Sequence, residues 1–289
     1  MKKYIYAIPA LLMGMMMVSC SDEQGTSAGG DSAPVVNVYQ YSAEAPYDGD
    51  NDALVRIVAN NKVSEVYYLA EKAADKEARN MTDADYASYV VSNGTKVTMT
   101  ADEMTGGYCT DVYVTGLKGI NDITVVGTDG SQLSYATTSF TGLDWQTVSE
   151  GTYYFSSRAQ GRFGLPEATT TILQQESLDP TYYQFKNLYG DGGNLRFHST
   201  GYEMSSDYGT LEVLRVAGQA TPFEYGNYGT AYVRDLGYWQ NDDSFAYDAS
   251  YGCWMVVGDT QYKGVMQIAV QYYVSAGSLG YGWDYYYPN

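Results

Sequence analysis

In Val265-Met266-Gln267-Ile268-Ala269-Val270-Gln271-Tyr272-Tyr273-Val274 the side chains alternate with a period of two. Met266, Ile268, Val270, Tyr272 and Val274 fall on one face, and Gln267, Ala269, Gln271 and Tyr273 on the other. Only an extended strand sorts its side chains this way, since successive Cβ atoms of a strand point to opposite faces. The same pattern recurs upstream in shorter runs: Thr152–Ser157, Thr169–Gln175, Tyr182–Lys186, Leu195–Ser199, Leu211–Val216, Ala231–Arg234 and Tyr251–Val257. No helical periodicity competes with it after residue 144. Residues 145–289 therefore read as an aromatic-rich antiparallel β-domain, and strand patterning leaves a sandwich and a barrel both open.

The region before it is also strand-rich. Val35–Ser42, Ala53–Ala59, Ser64–Ala70, Thr95–Thr100, Tyr108–Leu117, Ile120–Gly127 and Gln132–Ser139 are seven short candidates with turn signals such as Asp129-Gly130 between them. That number and spacing over residues 35–140 predict an immunoglobulin-like sandwich. One helix interrupts the series between the third and fourth strands. Thr82 is placed to cap it with Asp85 at the third helical position, Tyr86, Tyr89 and Val90 follow at helical spacing, and Asn93-Gly94 stops it. The expectation is an all-β chain of two bodies with one inserted short helix.

The run Val112-Tyr113-Val114-Thr115-Gly116-Leu117-Lys118-Gly119, followed by Ile123-Thr124-Val125-Val126, resembles a fibronectin type III module near its penultimate strand. Such modules carry a corner tyrosine six residues after the leucine; here that position is Ile123. The resemblance implies a sandwich in a display role and transfers no functional residue. Gly151-Thr152-Tyr153-Tyr154, Leu188-Tyr189-Gly190 and Tyr272-Tyr273-Val274-Ser275-Ala276-Gly277 look like the C-terminal β-domain of Bacteroidetes lipoproteins, a resemblance that implies no activity.

Residues 1–19 read as a secretion signal. Lys2 and Lys3 form its basic start, and the apolar run that follows is too short to span a bilayer and contains Pro9. Met17-Val18-Ser19-Cys20 resembles a bacterial lipobox, which implies cleavage before Cys20 and acylation of that cysteine. Several acyl chains on one residue give stable membrane attachment. Ser21-Asp22-Glu23-Gln24 resembles the acidic tag of surface-exported Bacteroidetes lipoproteins, implying an outer-membrane protein that faces the exterior. Residues 20–34 predict a flexible tether, Gly/Ser/Ala-rich from Gly25 to Pro34. Within it Asp31-Ser32-Ala33 resembles the O-glycosylation acceptor of the same phylum, which marks Ser32.

Composition excludes several function classes. The 289 residues carry 16 Lys and Arg against 34 Asp and Glu, a net charge of −18 that repels phosphate backbones, so nucleic acid is not a partner. His198 is the single histidine, and Cys109 and Cys253 lie far apart, so no zinc-ligand spacing exists. No Gly-x-Ser-x-Gly elbow supports a triad through His198. Asp48, Asp50 and Asp52 alternate as in a calcium loop, but Ala53 and Ala59 stand where the loop glycine and glutamate belong, and a solvated turn is expected instead. Asp242 and Asp243 read the same way. The expectation is no catalytic residue, no metal and no cofactor.

What remains is the aromatic enrichment. All four tryptophans (Trp145, Trp239, Trp254, Trp283) and most of the 32 tyrosines follow residue 144. Flat rings with polar tips suit the apolar faces of sugars, and they also fill β cores. Tyr238 with Trp239, and Tyr281 with Trp283 and Tyr285, are the candidate ligand-binding residues. The leading expectation is a non-catalytic, lipid-anchored envelope protein that binds a carbohydrate or protein ligand through its C-terminal domain. The alternatives are a structural or adhesive envelope protein and a polysaccharide-active enzyme.

Overall fold

The computed structural model describes residues 33–104, 106–258 and 260–289. The signal, the acylation of Cys20 and the glycosylation of Ser32 expected from the sequence all fall outside the described residues. The chain is an all-β protein whose strand pairs are all antiparallel, joined by a few short helices.

The first ten elements are β1 (Val36–Ser42), β2 (Ala53–Ala59), β3 (Glu65–Lys72), α1 (Ala73–Ala78), α2 (Asp83–Asn93), β4 (Thr95–Val97), β5 (Ala101–Asp102), β6 (Gly107–Val114), β7 (Gly119–Thr128) and β8 (Leu133–Gly142). They form two four-stranded sheets, ordered β1-β2-β6-β5 and β4-β3-β7-β8, which face each other as an immunoglobulin-like sandwich. In β2, Ala53, Val55, Ile57 and Ala59 all point inward, and they meet Val66, Ile123 and Val125 of the other sheet. The filling is almost wholly aliphatic, as befits two sheets about 10 Å apart. Strand β7 is buried on both faces, because α2 lays Tyr86, Ala87 and Val90 over Val126. Thr82 caps that helix as the sequence predicts, accepting from the Asp85 amide at 3.2 Å. The preceding helix α1 was not legible: it buries none of its six residues, so it has no apolar stripe to detect.

The remaining elements are β9 (Trp145–Tyr154), α3 (Ser157–Phe163), β10 (Ala168–Glu176), β11 (Tyr182–Lys186), β12 (Leu195–Ser206), β13 (Gly209–Arg215), β14 (Gln219–Glu224), β15 (Thr230–Asp235), α4 (Leu236–Gln240), β16 (Cys253–Val257), β17 (Met266–Val274) and β18 (Gly277–Pro288). Between sandwich and barrel, the pairing chooses the barrel. The order β17-β16-β13-β12-β11-β10-β9-β18 returns to β17 through a further β17–β18 ladder, closing eight strands into a ring. Apart from the inserted β14–β15 hairpin, this ring follows chain order, as in an up-and-down barrel.

β15 occupies the edge of β17 that β16 leaves free: β16 pairs at Met266 and Gln267, and β15 from Val270 to Tyr273. The Gln219 side chain then ties β14 to β12, accepting from the Arg196 amide at 2.9 Å and donating to its carbonyl at 2.7 Å. One side-chain amide thus supplies the two bonds of a strand bridge.

The ring encloses side chains. Tyr153, Phe185, Phe197, Tyr272 and Tyr286 are fully buried among Leu173, Leu195, Ile268 and Val270. Eight strands leave an interior that side chains just fill, and here rings reach the axis. Gly151 lets the Tyr286 ring lie across β9, since a Cβ there would stand 2.6 Å from its ring carbons. Helix α3 caps one end, its Ser156 amide donating to the buried carboxylate of Asp284 at 2.7 Å. Tyr153 donates to the other oxygen of Asp284 at 2.9 Å. Burial nevertheless outweighs these bonds and pushes the Asp284 carboxyl up to about 6.

Two expectations need correction. The tail 285–289 reads in the sequence as an exposed edge strand ended by Pro288, but Tyr285 and Tyr286 belong to the closing strand of the ring, paired with β17 on one side and β9 on the other. The turn bearing Asp48, Asp50 and Asp52 is not simply solvated. Asp52 is buried and accepts from the amides of Asp48 and Gly116, and Asp50 pairs with Arg196 of the barrel at 2.5 Å. Asn51 donates to the carbonyls of Leu117 and Leu143, and Leu143 donates back to the Asp50 carbonyl. The turn therefore clasps the segment that joins sandwich to barrel.

Candidate functional site

Strand β18 sorts its side chains in an unexpected way. Gly282, Asp284 and Tyr286 point into the barrel, while Tyr281, Trp283, Tyr285 and Tyr287 stand on the outer face in one row. The barrel interior is filled without them. Tyr281 is 41% exposed and Tyr287 48%.

At the Tyr281 end the rings gather into a cluster. Tyr281 lies 5.4 Å from Trp283 and 5.5 Å from Trp239, and Tyr251 follows at 6.5 Å from Trp283. Trp239 and Trp283 are partly buried against the barrel core, and the Trp283 indole donates to the Ser250 carbonyl at 2.7 Å. Trp239 and Tyr251 are carried by the excursion between β15 and β16, which also covers the outer face of β17. This is why Gln267 and Gln271, polar positions of the alternating strand, are buried. Gln267 donates to the carbonyls of Ala249 and Gly252 in that excursion.

The excursion is anchored at its base by Asp235. This buried carboxylate accepts from the Val216 and Tyr238 amides and from the Arg215 guanidinium at 2.8 Å. Arg215 in turn pairs with Asp243 at 2.9 Å and lies 4.2 Å from the Tyr238 ring centre. The two neighbours singled out in the sequence thus part company: Trp239 joins the ring row, and Tyr238 stacks on Arg215. Asp242 caps a turn, and the Ser244 amide holds its carboxyl below the usual range.

At the other end of β18 the structure adds residues that sequence reasoning missed. A cleft of about 180 Å³ has Trp254 and Gln267 in its lining, together with Tyr208, Tyr262, Tyr285 and Tyr287. Tyr208 stacks 6.4 Å from Trp254, with Tyr262 edge-on to it at 5.5 Å. Burial, then the neighbouring Tyr287 and Tyr208 hydroxyls, raise the Tyr285 phenol above its ordinary value. A shallower hollow continues from Tyr285 and Tyr287 to Tyr154, whose ring meets Tyr287 at 5.7 Å. Tyr208 and Tyr262 sit in turns with no periodic signal, and only pairing of β16 with β13 and β17 brings them to β18.

The remaining candidates have structural surroundings. His198 is exposed and stacks on Tyr182 at 4.3 Å. Cys109 and Cys253 are separate free thiols, and burial raises that of Cys253 well above its usual range. No family model, curated protein or solved structure matches the chain.

Proposed function

We propose that the protein is a non-catalytic, lipid-anchored protein of the outer membrane that captures carbohydrate on the outer face of its barrel. The observation that carries this reading is the row Tyr281, Trp283, Tyr285 and Tyr287 on the outer face of β18, whose Tyr281 and Tyr287 rings are left exposed. Exposed rings of that size stabilise nothing by facing water. A sugar ring offers what such a row can use: an apolar face to stack on and hydroxyls for the phenols to bond. The lipobox-like Met17-Val18-Ser19-Cys20 supports the anchor, and the acidic Asp22-Glu23 supports outward display. The fibronectin-like sandwich then serves as a spacer between tether and barrel, held to the barrel by the Asp50–Arg196 clasp.

A glycan array probed with the mature protein tests the capture. We expect retention by the wild type and binding about tenfold weaker for Tyr281→Ala or Tyr287→Ala, the loss of roughly one ring contact. Both rings are exposed, so unchanged melting temperatures are expected to accompany the loss. A wild type that retains no glycan overturns the reading. The anchor is tested separately: Cys20→Ala is expected to move the protein from the membrane fraction to the soluble one.

A further inference from the structure

We infer that the ligand is a linear, uncharged polysaccharide long enough to lie along β18 and touch two ring platforms at once. The inference rests on the carbohydrate reading above and specifies its ligand. One platform is Trp239, Tyr281 and Trp283 with Tyr251; the other is Tyr208, Trp254, Tyr262, Tyr285 and Tyr287. A single strand carries both. Tyr281 and Tyr287 are six residues apart, which at the rise of a strand is roughly 20 Å. A mono- or disaccharide covers one platform, whereas a chain of sugar rings in a row reaches both.

The spacing is fixed as well as long. β18 is hydrogen-bonded on both sides, Tyr285 standing opposite Gln267 of β17 and Tyr154 of β9. The platforms cannot slide relative to each other, so a ligand held at one presents its next units to the other at high effective concentration.

Charge selects the class. The side chains lining the Trp254 cleft are all uncharged. Its one amide, Gln267, is already committed to the Ala249 and Gly252 carbonyls and the Tyr285 hydroxyl. Among the described residues the cation–ring contacts fall on other rings, such as Arg196 over Trp145, Arg215 over Tyr238 and Arg234 over Tyr273. The lining of that cleft offers a carboxylate or sulfate no cationic partner, and the net charge of −18 repels a polyanion.

The test uses the mature chain in affinity gels containing mixed-linkage β-glucan, xylan, galactomannan or starch, with polygalacturonate and alginate as polyanions. Retardation by at least one neutral polymer and by neither polyanion is expected. Calorimetry with a size ladder of oligosaccharides from that polymer then reads length. Affinity is expected to rise at least about tenfold once the ligand reaches both platforms. Tyr281→Ala and Tyr287→Ala are each expected to abolish that rise while binding of the shortest oligomers persists. A flat length dependence, or a preference for the polyanions, overturns this inference and leaves carbohydrate capture standing. Retardation by none of the six removes both.

Discussion

The sandwich and the barrel are both closed by antiparallel strands, yet they fill their interiors with different chemistry. The sandwich core is Val, Ile, Ala and Leu with a single Phe140. The barrel core holds Tyr153, Phe155, Phe185, Tyr189, Phe197, Tyr272 and Tyr286. Geometry accounts for the difference. Two facing sheets need slim side chains that interdigitate across a thin layer, whereas a ring of eight strands must fill a cylinder to its axis. Tyrosines do this at the cost of bringing hydroxyls inside, and each then requires a partner: Asp284 for Tyr153, Ser149 for Tyr286, Tyr189 for Tyr272. The barrel therefore carries buried polar groups within its ring-filled interior, whereas the buried carboxylate of the sandwich, Asp52, sits in a turn.

The contrast can be broken at several points. All four tryptophans lie from Trp145 onward, so tryptophan fluorescence reports the barrel and far-UV circular dichroism reports both bodies. Phe185→Ala removes a fully buried ring from the barrel and is expected to cost about 3–5 kcal/mol, moving the fluorescence midpoint in urea. If fluorescence and dichroism shift together by the full amount, the two bodies unfold as one and the contrast loses its energetic content. Arg215→Met strands the Asp235 carboxylate inside the protein and is expected to cost about 3 kcal/mol, again in the fluorescence transition. An unchanged midpoint would show that Asp235 does not depend on that guanidinium.

Asp284 sharpens the comparison through pH. Its pKa rises from 3.8 to about 6 in the folded chain, so the folded form holds its proton more tightly than the unfolded one. The stability this group contributes is complete below about pH 4 and is lost as pH rises through 6, a change of roughly 3 kcal/mol. Glu71, beside the inserted helices of the sandwich, runs the other way: burial raises its pKa, but bonds from Arg79 and Tyr86 outweigh that and hold it low. Melting curves of Asp284→Asn are expected to lose the barrel's fall in stability between pH 4 and 7. A wild-type profile retained by the variant would assign that fall elsewhere. The smallest effect belongs to the sandwich: Ile57→Val is expected to cost about 1 kcal/mol, visible by dichroism and silent in fluorescence.

The legibility of the fold followed the direction of its side chains. β17 was plain because its inner face is Met266, Ile268, Val270 and Tyr272, and its outer face carries glutamines. β18 hid because its polarity is inverted, with glycine and Asp284 inside and Tyr and Trp outside. A pattern that sorts apolar from polar assigns such a strand no buried side. Helices α3 and α4 escaped because seven and five residues are too few to set a helical period. In the candidate site, Tyr281, Trp283 and Tyr285 were readable as a cluster of neighbours in the sequence. Tyr208, Trp254, Tyr262 and Tyr154 were not, since they reach β18 only through pairings that local sequence does not encode. The solvated turn expected at Asp48, Asp50 and Asp52 failed for the same reason: the partner of Asp50 is Arg196, in the other body.

The ladder between β9 and β18 also sets a schedule. It joins the first and last strands of the barrel, with Tyr153 and its partner Asp284 separated by 131 positions. A chain emerging from its amino end can complete the sandwich early, but the ring of eight strands cannot close before β18 is present. That strand brings the seam, the interior carboxylate that seats α3, and the whole outer row of rings. Closure of the barrel and appearance of its outer row of rings are then a single late event.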